Sequence, residues 1–526
     1  MELSSVAVLG GGPGGLYAAR LLKLRHPACH VDVYEQGVPR ETFGFGVGIA
    51  TRTQRHLQQA DPATLAAIMD RAWSHEMSMV IGDRRIILPA GDLVAIGRAT
   101  LLDVLSKQAR AAGVKIHYGA RIVVDELDAQ LVIAADGVSS ATRERYAADF
   151  GARVQTEKAL YLWCGADFAL PQALFRPIET EFGVFVVHGY PYAADRSTFL
   201  IETDEETWQR AGFDRPEDDL PPGASDEVAL EYLSGVFAEE LCGRPLIGNR
   251  TRWSRFRTVS CERWSRGNML LLGDASATAH YSIGSGTKLA MESAIQLDHA
   301  IASAATLGEA LTNYETARRP DVEYFQSIAH RSMLWWDSFP ERLELSVEQL
   351  LISFMSRAGK VLLTRFAEMA PDIVRQGLAD FAGGEAADVP AEGRSDWILA
   401  QPLHRGGKTW GDRFGNGTDV AFEVMVDAPN AWCDEAEFVI GQVQKRVEGP
   451  DDLVLLSSAD DLDAVLTMCD IAERLRREVG VIVGVRVSSR WRELIATAVV
   501  SGRVDLVEIN AAPRPGANAV GKELDI

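Results

Sequence analysis

A glycine-rich turn near the start of the chain constrains the fold more than any other feature of the sequence. An apolar strand at residues 6–9 leads into Gly10-Gly11-Gly12-Pro13-Gly14-Gly15, and an amphipathic helix follows at residues 16–24. In a G-x-G-x-x-G turn the first glycine permits a tight bend, the second lets a pyrophosphate approach the backbone, and the third lets the helix pack closely. A second strand, at residues 31–34, ends at Glu35, where the ribose of an adenosine would present its hydroxyl groups. The sequence therefore predicts a βαβ unit that binds a dinucleotide.

The composition limits the partners and the compartment of this 526-residue chain. Its six cysteines are scattered, with no CxxC pair and no Cys/His cluster at zinc-ligand spacing, which indicates reduced thiols and predicts no metal site. The net charge of −21 disfavours binding to nucleic acid or to an anionic membrane, and no apolar run approaches the length of a membrane span. We therefore predict a cytoplasmic protein with no nucleic-acid or membrane partner. The sequence is compatible with a homo-oligomer.

Two kinds of secondary-structure pattern alternate along the chain, and they predict an α/β fold with two interleaved domains. Strands and helices of the parallel α/β type occupy the N-terminal part and return with an apolar strand at residues 269–272. Between them, residues 161–203 alternate β-branched and aromatic residues, as in a mainly antiparallel sheet. A stretch rich in small and acidic residues, 381–394, is typical of a linker. The predicted parts are a dinucleotide-binding domain (1–75, 91–158 and 265–330), a β-sheet domain (76–90 and 159–264), a helical segment (331–384), a linker (385–400) and a small C-terminal domain of alternating strands and helices (401–526).

Two more turns place an aspartate directly after an apolar strand. Asp136-Gly137 follows one such strand, with Ser140 and Arg143 just downstream, and Asp274 follows another. With the glycine turn, these motifs resemble in type and order the glycine fingerprint, the DG motif and the GD motif of the flavoprotein aromatic hydroxylases of the para-hydroxybenzoate hydroxylase type. The resemblance implies a Rossmann-like FAD-binding domain that is interleaved with a β-sheet domain for the substrate.

The same resemblance implies which residues hold the cofactor. Asp274 would hydrogen-bond the ribityl chain of FAD, Arg98 would contact the flavin, and the Asp136 turn would be shared by the flavin and nicotinamide sites. Because no second glycine fingerprint follows a strand, NADPH or NADH would be a co-substrate without a domain of its own, and the loop 42–48 would lie beside a flavin that moves. The predicted cofactor-binding residues are Gly10, Gly12, Pro13, Gly14, Gly15, Glu35, Gly46, Val47, Arg98, Asp136, Gly137, Asp274, Gly284, Gly286 and Thr287.

The segment that follows Asp274 resembles a narrower branch of this family. His280, Tyr281 and Lys288 stand where the wider family usually has proline, proline and asparagine, as in the salicyloyl-CoA 5-hydroxylases and anthraniloyl-CoA monooxygenases. The resemblance implies an FAD-dependent aromatic monooxygenase that uses NAD(P)H and O2. In such enzymes a flavin C4a-hydroperoxide hydroxylates an electron-rich ring, which in this branch is a salicyloyl- or anthraniloyl-type thioester of CoA or of a carrier protein.

Two alternatives to this function stay open. Residues 161–203 also resemble the tryptophan hydroxylase of violacein biosynthesis, so a free aromatic such as tryptophan or an indole, in secondary metabolism, is the alternative substrate. The alternative of another class is a flavin-binding scaffold that recruits a partner without catalysis. Substrate-stimulated oxidation of NAD(P)H would distinguish an enzyme from a scaffold.

Aromatic and histidine side chains are the candidates for the substrate site. The flavin ring must be kept from water, so the site needs apolar cover, and we predict that Trp163, His188 and Tyr190 line it. His280 and Tyr281 are the predicted catalytic residues, with His280 as a general base because a histidine has a suitable pKa range. Packing in a core is the alternative role for each of them.

An arginine-rich segment, 244–266, makes one part of this acidic chain locally basic. Its alternation of arginines with aromatic residues is most simply explained by an edge strand with one solvated face. The alternative is a landing site for the phosphates of CoA or of a phosphopantetheine, and we name Arg252 and Arg255 as its substrate contacts.

The C-terminal part resembles a fragment of another flavoprotein fold. Residues 421–510 are similar to the last three βα units of an Old Yellow Enzyme-like barrel. A closed barrel of this kind needs eight strands and about 250 residues, more than the segment 401–526 provides. In addition, Asn510-Ala511-Ala512-Pro513 stands where those barrels have a phosphate-binding Gly-Arg pair. We therefore predict a degenerate partial barrel without FMN.

Overall fold

The computed structural model describes residues 1–39, 42, 44–88, 91, 93–215, 220, 221, 223–415 and 420–510. The chain forms two compact units, Met1–Asp337 and Ser338–Ile526. The strands of the first unit are β1 (Ser5–Leu9), β2 (His30–Glu35), β3 (Gly46–Ile49), β4 (Trp73–Ser74), β5 (Met77–Ile81), β6 (Arg84–Leu88), β7 (Val94–Gly97), β8 (Lys115–Tyr118), β9 (Leu131–Ala134), β10 (Ala152–Ala166), β11 (Ala173–Thr180), β12 (Gly183–Ala193), β13 (Arg196–Thr203), β14 (Ser254–Cys261), β15 (Ser265–Arg266) and β16 (Met269–Leu271).

The helices of the first unit cover its two main sheets. They are α1 (Pro13–Arg25), α2 (Thr51–Ala60), α3 (Pro62–Met69), α4 (Arg98–Ala112), α5 (Ala141–Arg145), α6 (Ala147–Phe150), α7 (Glu205–Arg210), α8 (Glu227–Val236), α9 (Gly286–Ser303) and α10 (Leu307–Asp337). Among the residues that the structure describes, no helix is both long enough and apolar enough to cross a membrane.

A six-stranded sheet, in the order β15-β16-β9-β1-β2-β8, carries the glycine turn and both aspartate turns. All of its strand pairs are parallel except β15–β16. Val8 in β1 pairs with Val33 in β2 and with Ile133 in β9, and all three side chains are buried, because both faces of a parallel sheet are covered by helices. The carboxyl ends of β1, β9 and β16 therefore meet at one edge of this sheet.

A seven-stranded sheet, in the order β14-β10-β13-β12-β11-β5-β6, lies in the same unit and is antiparallel except for the β11–β5 pair. One face packs against α8 through a core to which Leu162, Val187 and Ile201 belong. Successive side chains of a strand point to opposite faces, so the neighbouring residues of β10, β12 and β13 point the other way. The predicted α/β fold class is confirmed, and β14 is the edge strand that the arginine alternation predicts.

The second unit begins at Ser338, well before the predicted linker at 385–400. That segment contains a 3₁₀ turn, Ala386–Asp388, and a helix in which Ile398 and Leu399 are buried. Its small and acidic composition indicates turns, but two apolar side chains anchor it to this unit. The helices of the second unit are α11 (Val347–Ser356), α12 (Leu363–Met369), α13 (Pro371–Ala382), α14 (Arg394–Leu399), α15 (Asp434–Arg446), α16 (Leu462–Arg474) and α17 (Arg492–Val500).

The second unit contains a four-stranded parallel sheet. Its strands and those of a short hairpin are β17 (Leu403–Arg405), β18 (Lys408–Trp410), β19 (Val420–Met425), β20 (Leu453–Ser457), β21 (Ile482–Ser488) and β22 (Leu506–Asn510). β19 to β22 pair in sequence order, and α15, α16 and α17 connect them, as the predicted alternation of strands and helices requires. Descent from an Old Yellow Enzyme-like barrel stays a prediction. Ala511-Ala512-Pro513, which stand where those barrels have the phosphate-binding pair, lie outside the described residues.

Candidate active site

The glycine turn after β1 has the geometry that a dinucleotide requires. Gly10 has φ +99°, and a Cβ at this position would overlap the carbonyl oxygen of Ala135, so only glycine fits. At Gly12, in contrast, a Cβ would meet no atom within 4 Å, which leaves the backbone open to a ligand. Glu35 accepts hydrogen bonds from the amides of Gly11 at 2.6 Å and Gly37 at 2.7 Å. Each of its oxygens keeps a further lone pair for a ribose hydroxyl.

Arg143 ties the two aspartate turns together. Its Nη2 donates to the carbonyl of Val138 at 2.6 Å, and its Nη1 donates to the carbonyl of Ala275 at 3.0 Å. Ser140 caps α5 by accepting the Arg143 amide at 3.0 Å, which orients the arginine. Arg143 therefore joins the turn after β9 to the turn after β16 and holds one wall of the site.

Three buried polar atoms of this wall have no hydrogen-bond partner among the residues that the structure describes: Arg98 Nε, Asp136 Oδ1 and Ser285 Oγ. Buried polar atoms normally have partners, so these atoms indicate a polar ligand. Asp274 is an exposed residue of the turn after β16; desolvation by the surrounding protein raises the pKa of its carboxyl group, and Arg98 and Arg143 oppose the rise. Burial likewise lowers the pKa of Arg98, against the attraction of Asp274. FAD, with its hydroxyl, phosphate and ring polar groups, fits this set of donors and acceptors.

The start of α9 offers a place for negative charge. Gly284 has φ +61° and precedes the first residue of the helix, Gly286, and a Cβ at either glycine would meet nothing within 4 Å. Thr287 is the second residue of this 18-residue helix. The free amides and the positive end of the helix dipole are suited to an electron-rich edge of a flavin.

The loop that leads into β3 is held by the seven-stranded sheet. The Gly46 amide donates to Thr198 Oγ1 at 2.9 Å, and Tyr190 Oη donates to the Gly46 carbonyl at 2.7 Å. Asn249 Nδ2 donates to the carbonyls of Thr42 and Gly44, both at 2.9 Å. The sequence analysis missed Thr198 and Asn249. The alternation within β13 could have indicated Thr198, whereas no sequence pattern pointed to Asn249.

Side chains of one sheet face line the space beside this loop. Sheet register places Trp163, Leu200 and His188 in one cross-strand row, and Phe175 continues it. His188 stacks on Trp336 of α10, with ring centroids 5.9 Å apart. Trp163 packs against the loop, since a Cβ on Gly44 would lie 2.9 Å from its ring. The predicted lining residues Trp163, His188 and Tyr190 therefore share one face.

His280 and Tyr281 lie on the segment between Asp274 and Gly284. His280 Nδ1 accepts the Ser282 amide at 3.3 Å and so caps the 3₁₀ turn Tyr281–Ile283. Burial, with His330 as the second cause, lowers the pKa of His280 to about 3, so the ring is neutral at pH 7 and is a weak base. His280 is therefore poorly suited to act as the general base that was predicted for the substrate hydroxyl.

A buried acid that was not expected from the sequence lies near Tyr281. Glu202, on β13, is the cross-strand neighbour of Tyr161, whose ring packs against the Tyr281 ring with centroids 4.9 Å apart. Burial, with Asp337 as the second cause, raises the pKa of Glu202 to about 8. A glutamate directly after the apolar run at residues 199–201 of β13 is the signal that could have found it.

The arginines predicted to meet substrate phosphates have partners within the protein. Arg252 donates to the carbonyls of Ala224 at 3.1 Å and Leu220 at 3.2 Å. Arg255 forms an ion pair with Glu205 at 3.0 Å. Their guanidinium groups therefore anchor neighbouring segments, and a phosphate would have to compete with these contacts.

Comparisons with known proteins also indicate that the chain binds FAD. The FAD binding domain family matches residues 4–326. The chain is 39% identical over 341 residues to a salicyloyl-CoA 5-hydroxylase from Streptomyces sp, covering 64% of this chain but only 65% of that protein. It is 37% identical over 360 residues to the 3-hydroxy-4-methyl-anthranilyl-(aryl-carrier protein) 5-monooxygenase of Streptosporangium sibiricum, covering 68% of this chain and 95% of that protein.

A solved structure shares the fold. A variant of 2-methyl-3-hydroxypyridine-5-carboxylic acid oxygenase superposes with a TM-score of 0.51 at 19% identity, over 71% of this chain and 97% of that one. At this identity the likeness concerns the fold alone. It is the fold in which a parallel sheet with a glycine turn is interleaved with a mainly antiparallel sheet.

Proposed function

Since the chain belongs to the FAD binding domain family and is an FAD-dependent aromatic monooxygenase, we propose that it hydroxylates an aromatic ring presented as an aryl thioester. The ring would be of the salicyloyl or anthraniloyl type, carried by CoA or by a carrier protein. The observation that carries this proposal is the 37% identity to a carrier-protein-dependent monooxygenase over nearly all of that protein's length.

The residues of the first unit have distinct roles in this proposal. Glu35 and the amides around Gly12 would hold the adenosine and pyrophosphate of FAD, and Asp274 and Arg98 would hold its flavin half. Bound FAD, reduced by NADPH or NADH, supplies the activation of O2 and the transfer of one oxygen atom to the ring. The protein supplies position and exclusion of water, which the aromatic face around His188 is suited to do.

The test is turnover with purified protein, FAD, and either NADPH or NADH. Salicyloyl-CoA and anthraniloyl-CoA should accelerate oxidation of the nicotinamide and yield a ring-hydroxylated product that carries one atom from labelled O2. The free acids and tryptophan should give much slower oxidation. Faster turnover of tryptophan or an indole would support the alternative substrate, and no acceleration by any aryl compound would contradict the monooxygenase.

Tyr190 allows a test of the loop that flanks the flavin site. Tyr190→Phe removes the hydrogen bond to the Gly46 carbonyl. One such bond contributes about 1 kcal/mol, so we expect FAD to bind about 5-fold more weakly, measured by the quenching of flavin fluorescence. Tyr192→Phe is the matched control, because Tyr192 contacts Gly46 through its ring. Equal affinities of the two variants would exclude this role for Tyr190.

A further inference from the structure

We propose that Glu202 accepts the proton of the substrate's ring hydroxyl or amino group, with Tyr281 as the relay between them. This inference rests on the proposed function, because it concerns the activation of the same ring. The role of general base, which was predicted for His280, is thereby assigned to a residue of the β-sheet domain.

The position of Glu202 supports a role in the site. Its side chain is buried at 7% exposure on the sheet face that lies beside the flavin loop. In the sheet register it stands between Tyr161 of β10 and Val186 of β12. An apolar side chain would fill this place without the cost of removing a carboxyl group from water, which is substantial. Buried acids kept at such a cost are found preferentially at functional sites.

Tyr281 connects Glu202 to the cofactor residues. It follows His280 on the short segment between Asp274 and Gly284, the two places where the chain would contact the flavin. The Tyr281 ring packs edge-on against Tyr161, with centroids 4.9 Å apart, and lies 4.0 Å from the His280 ring. Tyr161 is also the cross-strand neighbour of Glu202, so these contacts hold the Tyr281 ring close to the Glu202 side chain.

The charged and titratable groups around Glu202 shift its pKa. From the end of α10, Asp337 raises the pKa of Glu202, and burial, with Glu157 of β10 as the second cause, raises the pKa of Asp337 itself to about 7. Lys158 opposes the rise at Asp337. From the turn, the interaction with Tyr281 lowers the pKa of Glu202.

Tyr161 and His280 complete the titratable surroundings. Burial raises the pKa of Tyr161, and Arg257 opposes the rise. His280, with His330 acting on it, is neutral at pH 7. None of these groups is a competing base at neutral pH, since tyrosines stay protonated and the histidine is already occupied at Nδ1. Glu202 therefore becomes a stronger base than an ordinary carboxylate once it loses its proton above pH 8.

The step itself is a proton transfer without oxidation. The O–H bond of the substrate hydroxyl breaks, and its proton passes to Tyr281 Oη while the Tyr281 proton passes to the Glu202 carboxylate. The electron pair stays on the substrate oxygen and enriches the ring at the position that receives oxygen. An amino substituent would lose an N–H proton along the same route.

Glu202→Gln tests the proposal, because glutamine keeps the size of the side chain but cannot accept the proton. In the wild type, kcat should rise with pH through about 8, where Glu202 loses its proton. In Glu202→Gln, kcat on the aryl thioester should fall about 100-fold and this rise should disappear. Tyr281→Phe should show a similar loss, and Glu202→Asp should restore part of the rate together with the pH dependence.

The control variant is Glu179→Gln, the same change at an exposed position of the same sheet, and its rate and pH profile should match the wild type. FAD content and thermal unfolding of each variant show whether it is folded. A Glu202→Gln enzyme that is folded, and that keeps the wild-type rate and the rise through about pH 8, would overturn the proposal.

A second readout separates this proposal from the proposed function. A salicyloyl thioester changes its ultraviolet absorbance when its hydroxyl ionises, so ionisation on binding can be followed without turnover. The wild type should bind it as the phenolate above pH 8, and Glu202→Gln should bind it as the phenol. Ionisation without any hydroxylated product would contradict the proposed function alone, and equal ionisation in both proteins would contradict the role of Glu202.

Discussion

Gly12→Glu is expected to abolish FAD binding and to leave the protein folded. Gly12 has φ −73°, which any residue can adopt, and a Cβ there meets no atom within 4 Å. The new side chain would stand where the pyrophosphate must approach the backbone, and its charge would repel the phosphates. Like charges placed together cost several kcal/mol, so the affinity for FAD should fall by about 100-fold or more. Fluorescence titration with FAD measures this loss.

Two variants make the result specific. Gly308→Glu introduces the same side chain at an exposed position of α10 that is also open, and it should keep wild-type FAD affinity and thermal stability. Gly10→Ala should instead unfold the domain, because a Cβ there overlaps the Ala135 carbonyl at a positive φ. If Gly12→Glu bound FAD as the wild type does, the glycine turn would not be the pyrophosphate site.

Asp274→Ala is expected to weaken FAD binding about 10- to 100-fold. A hydrogen bond to a charged group contributes about 1.5–3 kcal/mol, and in the proposed role this carboxylate would accept such bonds from the ribityl hydroxyls. The variant should also lose pH dependence. Ligand hydroxyls that donate to the charged form would lower the pKa of Asp274 on binding, so the wild type should bind FAD more weakly as the pH falls, and the variant should not.

The control for Asp274 is an aspartate on the helix that Arg98 begins. Asp103→Ala removes only a surface ion pair with Lys107, at 2.7 Å, and should change neither FAD affinity nor its pH dependence. Flavin content after purification and a binding titration at several pH values provide the measurements. Unchanged flavin content in Asp274→Ala would contradict the role of this residue.

Both predictions concern residues that could be found from the sequence, and the reason is local. A glycine with positive φ or an aspartate at the end of a strand is required by the backbone of its own turn, so it leaves a short motif. The parallel pairing of β1, β9 and β16 then brings the three turns to one edge of the sheet, and this does not depend on the structure of the connecting segments. FAD binding and the α/β fold could therefore be predicted.

The proton acceptor required the tertiary structure. Glu202 and Tyr281 are far apart in the sequence and meet only because the β-sheet domain packs beside the segment after Asp274. The alternation of β13 shows that Glu202 shares a face with Thr198 and Leu200, but not which face borders the flavin. His280, in contrast, looks like a base in the sequence, and only burial shows that its pKa is lowered to about 3.

The same division applies to the arginines and to the second unit. The arginine-rich edge strand β14 and the alternation of strands and helices near the C-terminus could both be predicted from sequence patterns. The binding of carbonyl groups by Arg252, and the start of the second unit at Ser338, could not be predicted in this way and became visible in the folded chain. The physical reason is that motifs record the demands of one turn or strand, whereas ion pairs, burial and domain limits depend on which distant side chains pack together.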